Sequence, residues 1–191
     1  LKFVDLQNWR VTTTTLILDN IYETIVFSPD DRYVTFIAQK SSWPTQHVVQ
    51  VIDVAHGTLA GEFVPNFMPH QLRYTPDGQQ FMLYGTATDE NTNGINPTSR
   101  VALIDATTLQ VIWQQTLDGV RDGQFDAKNR EDPHAGIWWQ PAVVFDPQQR
   151  RLYIAHADQD KLTIVDFGKR HAQTVAIAPA QTWIEQLLAL T

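Results

Sequence analysis

A few short stretches of this chain hold the residues best suited to chemistry. Asp89-Glu90-Asn91-Thr92-Asn93-Gly94 fits D-x-N-x-N-G, the opening half of a calcium loop. Calcium takes oxygen ligands from alternate residues, and the glycine permits a sharp turn between them. Asp89, Asn91 and Asn93 are therefore the candidate metal ligands. The later ligands fail: Pro97 and Arg100 stand at the ninth and twelfth places, and neither carries a carboxylate. A plain Asx-rich turn ending in Asn-Gly is the competing reading. Calcium is the one cofactor this sequence suggests.

A second stretch is the insertion from Asp118, which carries Arg121 and closes on PHAGIWWQP with His134, Trp138 and Trp139. Its Asp/Arg/Gly-rich part, Asp118–Asp132, reads as a solvated loop. Adjacent tryptophans on a strand point to opposite faces. One is expected in the core, leaving the other to stack on a ligand or partner. Trp43, in KSSWPTQ, and His70, in MPHQLRYTPDG, complete the candidate binding residues. His47, His56, His156 and His171 lie on different strands and turns and read as ordinary surface or core residues. No HExxH, GxSxG, P-loop or GxGxxG is present.

Composition narrows the partners. The chain has 191 residues, net charge −7 and no cysteine. Lys and Arg are scattered, so nucleic acid and anionic membrane surfaces, which need a basic patch, are not expected partners. Thiol catalysis and cysteine-ligated metals are excluded. No apolar run approaches the roughly 18 residues of a membrane span. The chain opens on Leu1 rather than Met, which suggests a processed chain or a part of a longer one.

The elements that must position these residues form an internal repeat. Its clearest copy runs from Pro141 to Ile177. A strand ends in a Pro turn at IVFSPDD, LRYTPDG and VVFDPQQ. An aromatic-rich strand follows at YVTFIA, FMLYG and RLYIAHA. A third strand ends apolar-apolar-Asp, at Asp53, Asp105 and Asp166, and a fourth closes the unit. KFVDL repeats the third-strand ending at Asp5 with no inner strands before it. One aspartate per copy argues for turn capping rather than catalysis. Four antiparallel strands in roughly 40–50 residues are the signature of a propeller blade.

The units resemble YVTN-type, WD40-like β-propeller repeats, most closely at LYIAHADQDKLTIVDF, Leu152–Phe167. The expected fold is all-β, a β-propeller or part of one. It comprises a half-blade at 1–20, blades at 21–65, 66–117 and 139–179, and an inserted loop at 118–138. A short C-terminal helix is expected at 180–191, where Trp183, Ile184, Leu187 and Leu188 recur at helical spacing. A ring needs about 4–8 blades. Blades from the same polypeptide or from another chain are therefore expected to complete it. The resemblance also implies an extracytoplasmic location, periplasmic or at the cell surface.

Function should lie where the repeats differ. The interval Pro147–Asp166 is the shortest, Pro29–Asp53 is longer, and Pro76–Asp105 is longest. The extra residues fall between second and third strands, at Lys40–Gln46 and Thr86–Ser99. In propeller topology these loops emerge on the same face as loops between blades. The expectation is a non-catalytic binding or scaffold module that recognises a protein or ligand through one elaborated face. The alternative is part of a propeller oxidoreductase or hydrolase, with its site on that face or in the central channel.

Overall fold

The computed structural model describes residues 2–5, 7–13, 20–40, 46–87, 98–122, 124–127 and 136–177. The expected C-terminal helix at 180–191 lies outside them. The described residues are strands and turns, and no helix among them is long and apolar enough to cross a membrane.

The chain divides into two compact units, one of residues 1–88 and 99–116, the other of residues 89–98 and 117–191. The first unit opens with the hairpin of β1 (Lys2–Asp5) and β2 (Arg10–Thr13). One four-stranded sheet follows, in the order β3 (Asn20–Phe27), β4 (Tyr33–Lys40), β5 (Gln46–Asp53), β6 (Thr58–Phe63). The next runs β7 (Met68–Tyr74), β8 (Gln80–Ala87), β9 (Thr98–Asp105), β10 (Val111–Arg121), its last strand ending in the second unit. The second unit adds the hairpin of β11 (Gln124–Ala127) and β12 (Gly136–Trp139). It ends with the sheet β13 (Ala142–Asp146), β14 (Arg151–Ala155), β15 (Lys161–Asp166), β16 (His171–Ala176). Each four-stranded sheet is an antiparallel meander, as the repeat predicts.

The hairpin β11–β12 corrects the reading of the insertion as a solvated loop. Its ends are QFDA and GIWW, with aromatic and β-branched residues suited to a pleated ladder. Phe125 stands opposite Trp138 and Gln124 opposite Trp139. The polar composition that suggests a loop is shared between the end of β10, with Asp118 and Arg121, and the residues between the two short strands.

Second strands carry the core. In β8 every residue from Phe81 to Ala87 is buried, and in β4 Val34 to Ala38. Such continuous burial means that both faces of the strand are covered. In the first unit one apolar cluster joins the two sheets: Ile37 and Val49 pack with Leu72, Phe81, Leu83 and Ile104. The Thr35 and Tyr74 hydroxyls share a buried hydrogen bond of 2.6 Å between the sheets. In the second unit Leu152, Ile154 and Val165 are fully buried and Phe145 stacks on Phe167 at 6.4 Å.

The repeated aspartates cap turns, as one copy per blade suggests. Asp53 Oδ1 accepts the His56 amide at 3.0 Å. Asp105 Oδ1 accepts the amides of Thr107 and Thr108 at 3.0 and 2.7 Å. Asp166 Oδ1 accepts the Lys169 amide at 2.9 Å. These bonds favour the ionised form. The Thr108 amide, then its hydroxyl and the Thr107 amide, hold the Asp105 carboxyl below its ordinary 3.8. The native state therefore binds fewer protons there than the unfolded chain, and its stabilisation is complete above about pH 4 and lost as pH falls further. Asp105→Asn is expected to lower the melting temperature at about pH 7 and to lower it less at about pH 2.5, since the carboxylate's contribution falls away as the pH drops below its ordinary value. Melting curves at the two pH values check this.

The sequence pattern does not show how these turns close. Four residues past each aspartate the backbone turns left-handed, at Trp9 (φ 51°), Gly57 (63°), Leu109 (57°) and Arg170 (53°). Gly57 adopts this freely, whereas a residue with a Cβ pays about 1–2 kcal/mol. Arg170 is exposed, so Arg170→Gly is expected to stabilise the chain by about 1 kcal/mol, since relief of strain outweighs glycine's entropy. Chemical denaturation measures it.

Candidate functional site

The strand ends that bear the insertions meet at one edge of the first unit. Lys40, the last residue of β4, pairs with Gln46, the first of β5. Met68, the first residue of β7, pairs with Thr86 near the end of β8. The Thr24 hydroxyl of β3 donates to the carbonyl of His70 at 2.9 Å, joining the inner strands of both sheets at this edge.

His70 owes its position to a bulge. Pro69 pairs with Gly85 and Gln71 with Tyr84, which leaves His70 without an opposite residue. The extra residue re-aims its side chain, as bulges beside functional sites do. The close approach needs Gly85: a Cβ there would lie 2.0 Å from the Met68 carbonyl oxygen. The His70 Nε2 lies 2.6 Å from the Thr86 hydroxyl, which is itself buried. His47, the second residue of β5, pairs with Gln39 at the same edge. Burial first, and then the charge of His70, hold its imidazole below the ordinary 6.5. His47 is thus neutral at physiological pH, a base or hydrogen-bonding group rather than a cation. The sequence singles out His70 and passes over His47, Thr24 and Thr86. Only their shared location at strand ends on one edge could have linked them.

In the second unit Arg121 closes β10, and its Nε lies 3.2 Å from Asp158 Oδ2 in the short turn between β14 and β15. The guanidinium thus clasps a turn while staying partly exposed. Beside it, His156 Nε2 meets the Thr163 hydroxyl at 2.7 Å, and Thr163 meets Thr174 at 2.8 Å, a polar chain from the end of β14 across β15 to β16. Burial lowers the His156 pKa, against the pull of Asp158. Asp158 Oδ1 and His156 Nδ1 are buried without a hydrogen bond. The sequence reading gives both residues no role.

Trp43, His134 and the calcium candidates Asp89, Asn91 and Asn93 lie outside the described residues. Trp138 and Trp139 are placed on β12 by the backbone. Among the described residues no group of three or more His, Asp or Glu is arranged to hold a metal.

The opposite strand ends of the first unit carry short turns, as expected, but they enclose a cleft of about 530 Å³. Asp30, Tyr33, Tyr74 and Asp77 line it, together with Arg32. Its carboxylates serve the turns: Asp30 Oδ1 accepts the Ser28 hydroxyl at 2.6 Å and Asp77 Oδ1 the Thr75 hydroxyl at 2.6 Å.

No family of known proteins matches the chain, and no curated protein matches it either. Its fold does match solved structures. Dihydro-heme d1 dehydrogenase NirN, solved in complex with DHE, superposes with a TM-score of 0.58 at 16% identity, over 92% of this chain and 32% of that one. Kuenenia stuttgartiensis hydrazine synthase gives 0.58 at 20%, over 88% and 46%. The β-propeller domain of Myceliophteria thermophila Cps50 (Swd1) gives 0.53 at 18%, over 92% and 50%. Together with the four-stranded antiparallel sheets, these matches define the chain's fold as that of a WD40-like β-propeller. The chain spans from a third to half of the length of these structures.

Proposed function

We propose that the chain is a non-catalytic binding module that recognises a protein or ligand through its elaborated strand-end face. The YVTN-type assignment and the extracytoplasmic location belong to the same proposal and rest on the repeat sequence. The observation that carries it is the insertion after β10. Where the first two sheets are joined by a short connection, this junction builds a separate antiparallel hairpin with Phe125 opposite Trp138. Aromatic residues are suited to recognition, since they bring large contact area at small entropic cost.

Quantitative pull-downs test it. Trp43→Ala and removal of residues 128–135 are each expected to reduce recovery of the same partner at least tenfold. Asp30→Asn, at the opposite strand ends, leaves recovery unchanged. Equal recovery with all three variants defeats the reading.

A second reading, part of a propeller enzyme, draws on the half-buried His70 and its neighbour His47. Two of the matched structures are of a dehydrogenase and a synthase, and both share only the fold with this chain. Loss of a measured turnover on His70→Ala, with the fold intact by circular dichroism, favours this reading.

A further inference from the structure

Two buried polar atoms in the second unit make no hydrogen bond and stand two residues apart in the connection between β14 and β15: His156 Nδ1 and Asp158 Oδ1. A buried polar group left in this way costs free energy, and in a folded protein it calls for a reason. The two atoms are complementary in one protonation state of the ring and not in the other. The bonds around the ring decide which nitrogen holds the proton. Nε2 meets the Thr163 hydroxyl at 2.7 Å, and Thr163 meets Thr174 at 2.8 Å. With the proton on Nε2, the ring donates to Thr163, Thr163 donates to Thr174, and Nδ1 keeps a lone pair. The other tautomer would bury an N–H without an acceptor, the costlier arrangement. A second proton therefore goes to Nδ1. The imidazolium then needs an acceptor there, and Asp158 Oδ1 is the open one in its own turn.

The same carboxylate holds Arg121. Its Oδ2 lies 3.2 Å from the guanidinium Nε, and the two charges compensate each other. The Asp158 side chain is 11% exposed and that of Arg121 43%, so the acid faces inward while the guanidinium reaches solvent. Among the described residues, the charges that act on the ring are Asp158, which favours its protonation, and Lys161 at the head of β15, which opposes it. β10 brings Arg121 to Asp158, and the buried Asp122 follows it in the chain. β15 and β16 meet the ring's polar edge with the hydroxyls of Thr163 and Thr174.

We propose that His156, Asp158 and Arg121 form a proton-operated switch, in which a proton on His156 Nδ1 draws the Asp158 carboxylate to the imidazolium and frees the charge of Arg121 for a carboxylate-bearing partner. With the ring neutral the three side chains carry no net charge; with it protonated they carry one positive charge. Burial disfavours the charged ring, so the switch operates below the ordinary histidine value of 6.5. The inference concerns Arg121 and its two partners, and does not depend on the aromatic hairpin proposed above as a recognition surface.

A pH titration of the 191-residue chain, followed by NMR and repeated with hexaglutamate as the anionic probe, tests it. Between about pH 7.5 and about pH 5 the Arg121 Nε–H resonance is expected to move with the same midpoint as the His156 ring. Hexaglutamate should bind at least tenfold more tightly at the lower pH. His156→Gln keeps a donor for Thr163 and cannot titrate. In that variant the Arg121 resonance should stay in place, and the gain in binding should fall below threefold. Asp158→Asn should hold the Arg121 resonance near its low-pH position throughout. An Arg121 resonance that ignores the His156 titration, or that still moves in His156→Gln, overturns the proposal, and so does a tenfold gain that survives His156→Gln. Should His156→Gln fail to fold, an Arg121 resonance that still titrates in Asp158→Asn overturns it alone.

Discussion

Gly85→Ala is expected to destabilise the chain by about 3 kcal/mol, the upper end of the overpacking range. For a chain of this size that lowers the melting temperature by roughly 6–12 °C. A Cβ at this position would meet the Met68 carbonyl oxygen at 2.0 Å, the Pro69 Cα at 2.5 Å and the Met68 carbonyl carbon at 2.8 Å. All three are backbone atoms of the neighbouring strand, so no side chain can rotate away. Relief requires β7 to move off β8, which strains the pairs Met68–Thr86 and Pro69–Gly85 and the bulge at His70. Gly61 is the internal contrast. A Cβ there would come within 2.6 Å of Leu109 Cδ1, the far end of a flexible side chain. Gly61→Ala should therefore cost less than half as much. Thermal unfolding of both variants decides the point: equal losses would mean that backbone approach is not what Gly85 serves. The His70 ring resonances offer an independent readout, because the bulge sets the 2.6 Å contact with Thr86. They should shift in Gly85→Ala and not in Gly61→Ala.

That glycine also marks the limit of what the sequence discloses. The aromatic-rich runs YVTFIA and FMLYG, the Pro turns and the strands ending at Asp53, Asp105 and Asp166 are local signals, and local signals predict the four-stranded sheets. The capping role of the aspartates follows the same way, since an Asx turn is closed within three residues. The left-handed position after them is hidden, because Trp9, Leu109 and Arg170 stand where glycine would announce it. The bulge is hidden for another reason: Gly85 reads as an ordinary break in a strand until Pro69 is known to lie opposite. The contacts of His70 with Thr24 and Thr86 and the charge it exerts on His47 join strands distant in sequence. So does the clasp of Arg121 on Asp158. No spacing in the chain encodes them. The hairpin β11–β12 was obscured by composition, since polar residues between its two short strands outweigh the aromatic ends.

Phe81→Ala is expected to cost 3–5 kcal/mol, the range for removing a large aromatic from a core that cannot collapse around the gap. Phe81 is fully buried, lies opposite Tyr74 near the start of the second strand of its sheet, and shares with Leu72 and Ile104 the cluster that joins both sheets of the first unit. Tyr74 meets its ring edge-on at 5.7 Å, and Phe63 lies 6.0 Å away on the other sheet. The loss should therefore reach beyond the cavity. Tyr74 is steered by Phe81, and its hydroxyl makes the 2.6 Å bond to Thr35 that crosses between the sheets. A double-mutant cycle separates the two contributions. If Phe81 acts only by filling space, Phe81→Ala and Tyr74→Phe add. If it also holds Tyr74 against Thr35, the hydroxyl is worth less once Phe81 is gone, and the double variant is more stable than the sum predicts by about 0.5–3 kcal/mol. Val111→Ala, at a position 52% exposed, gives the baseline and should stay within about 0.5 kcal/mol of the parent. Coupling between Phe81 and Tyr74 above that baseline would show that the two sheets are locked by one aromatic and hydroxyl pair. Strict additivity would leave hydrophobic burial as the bond between them.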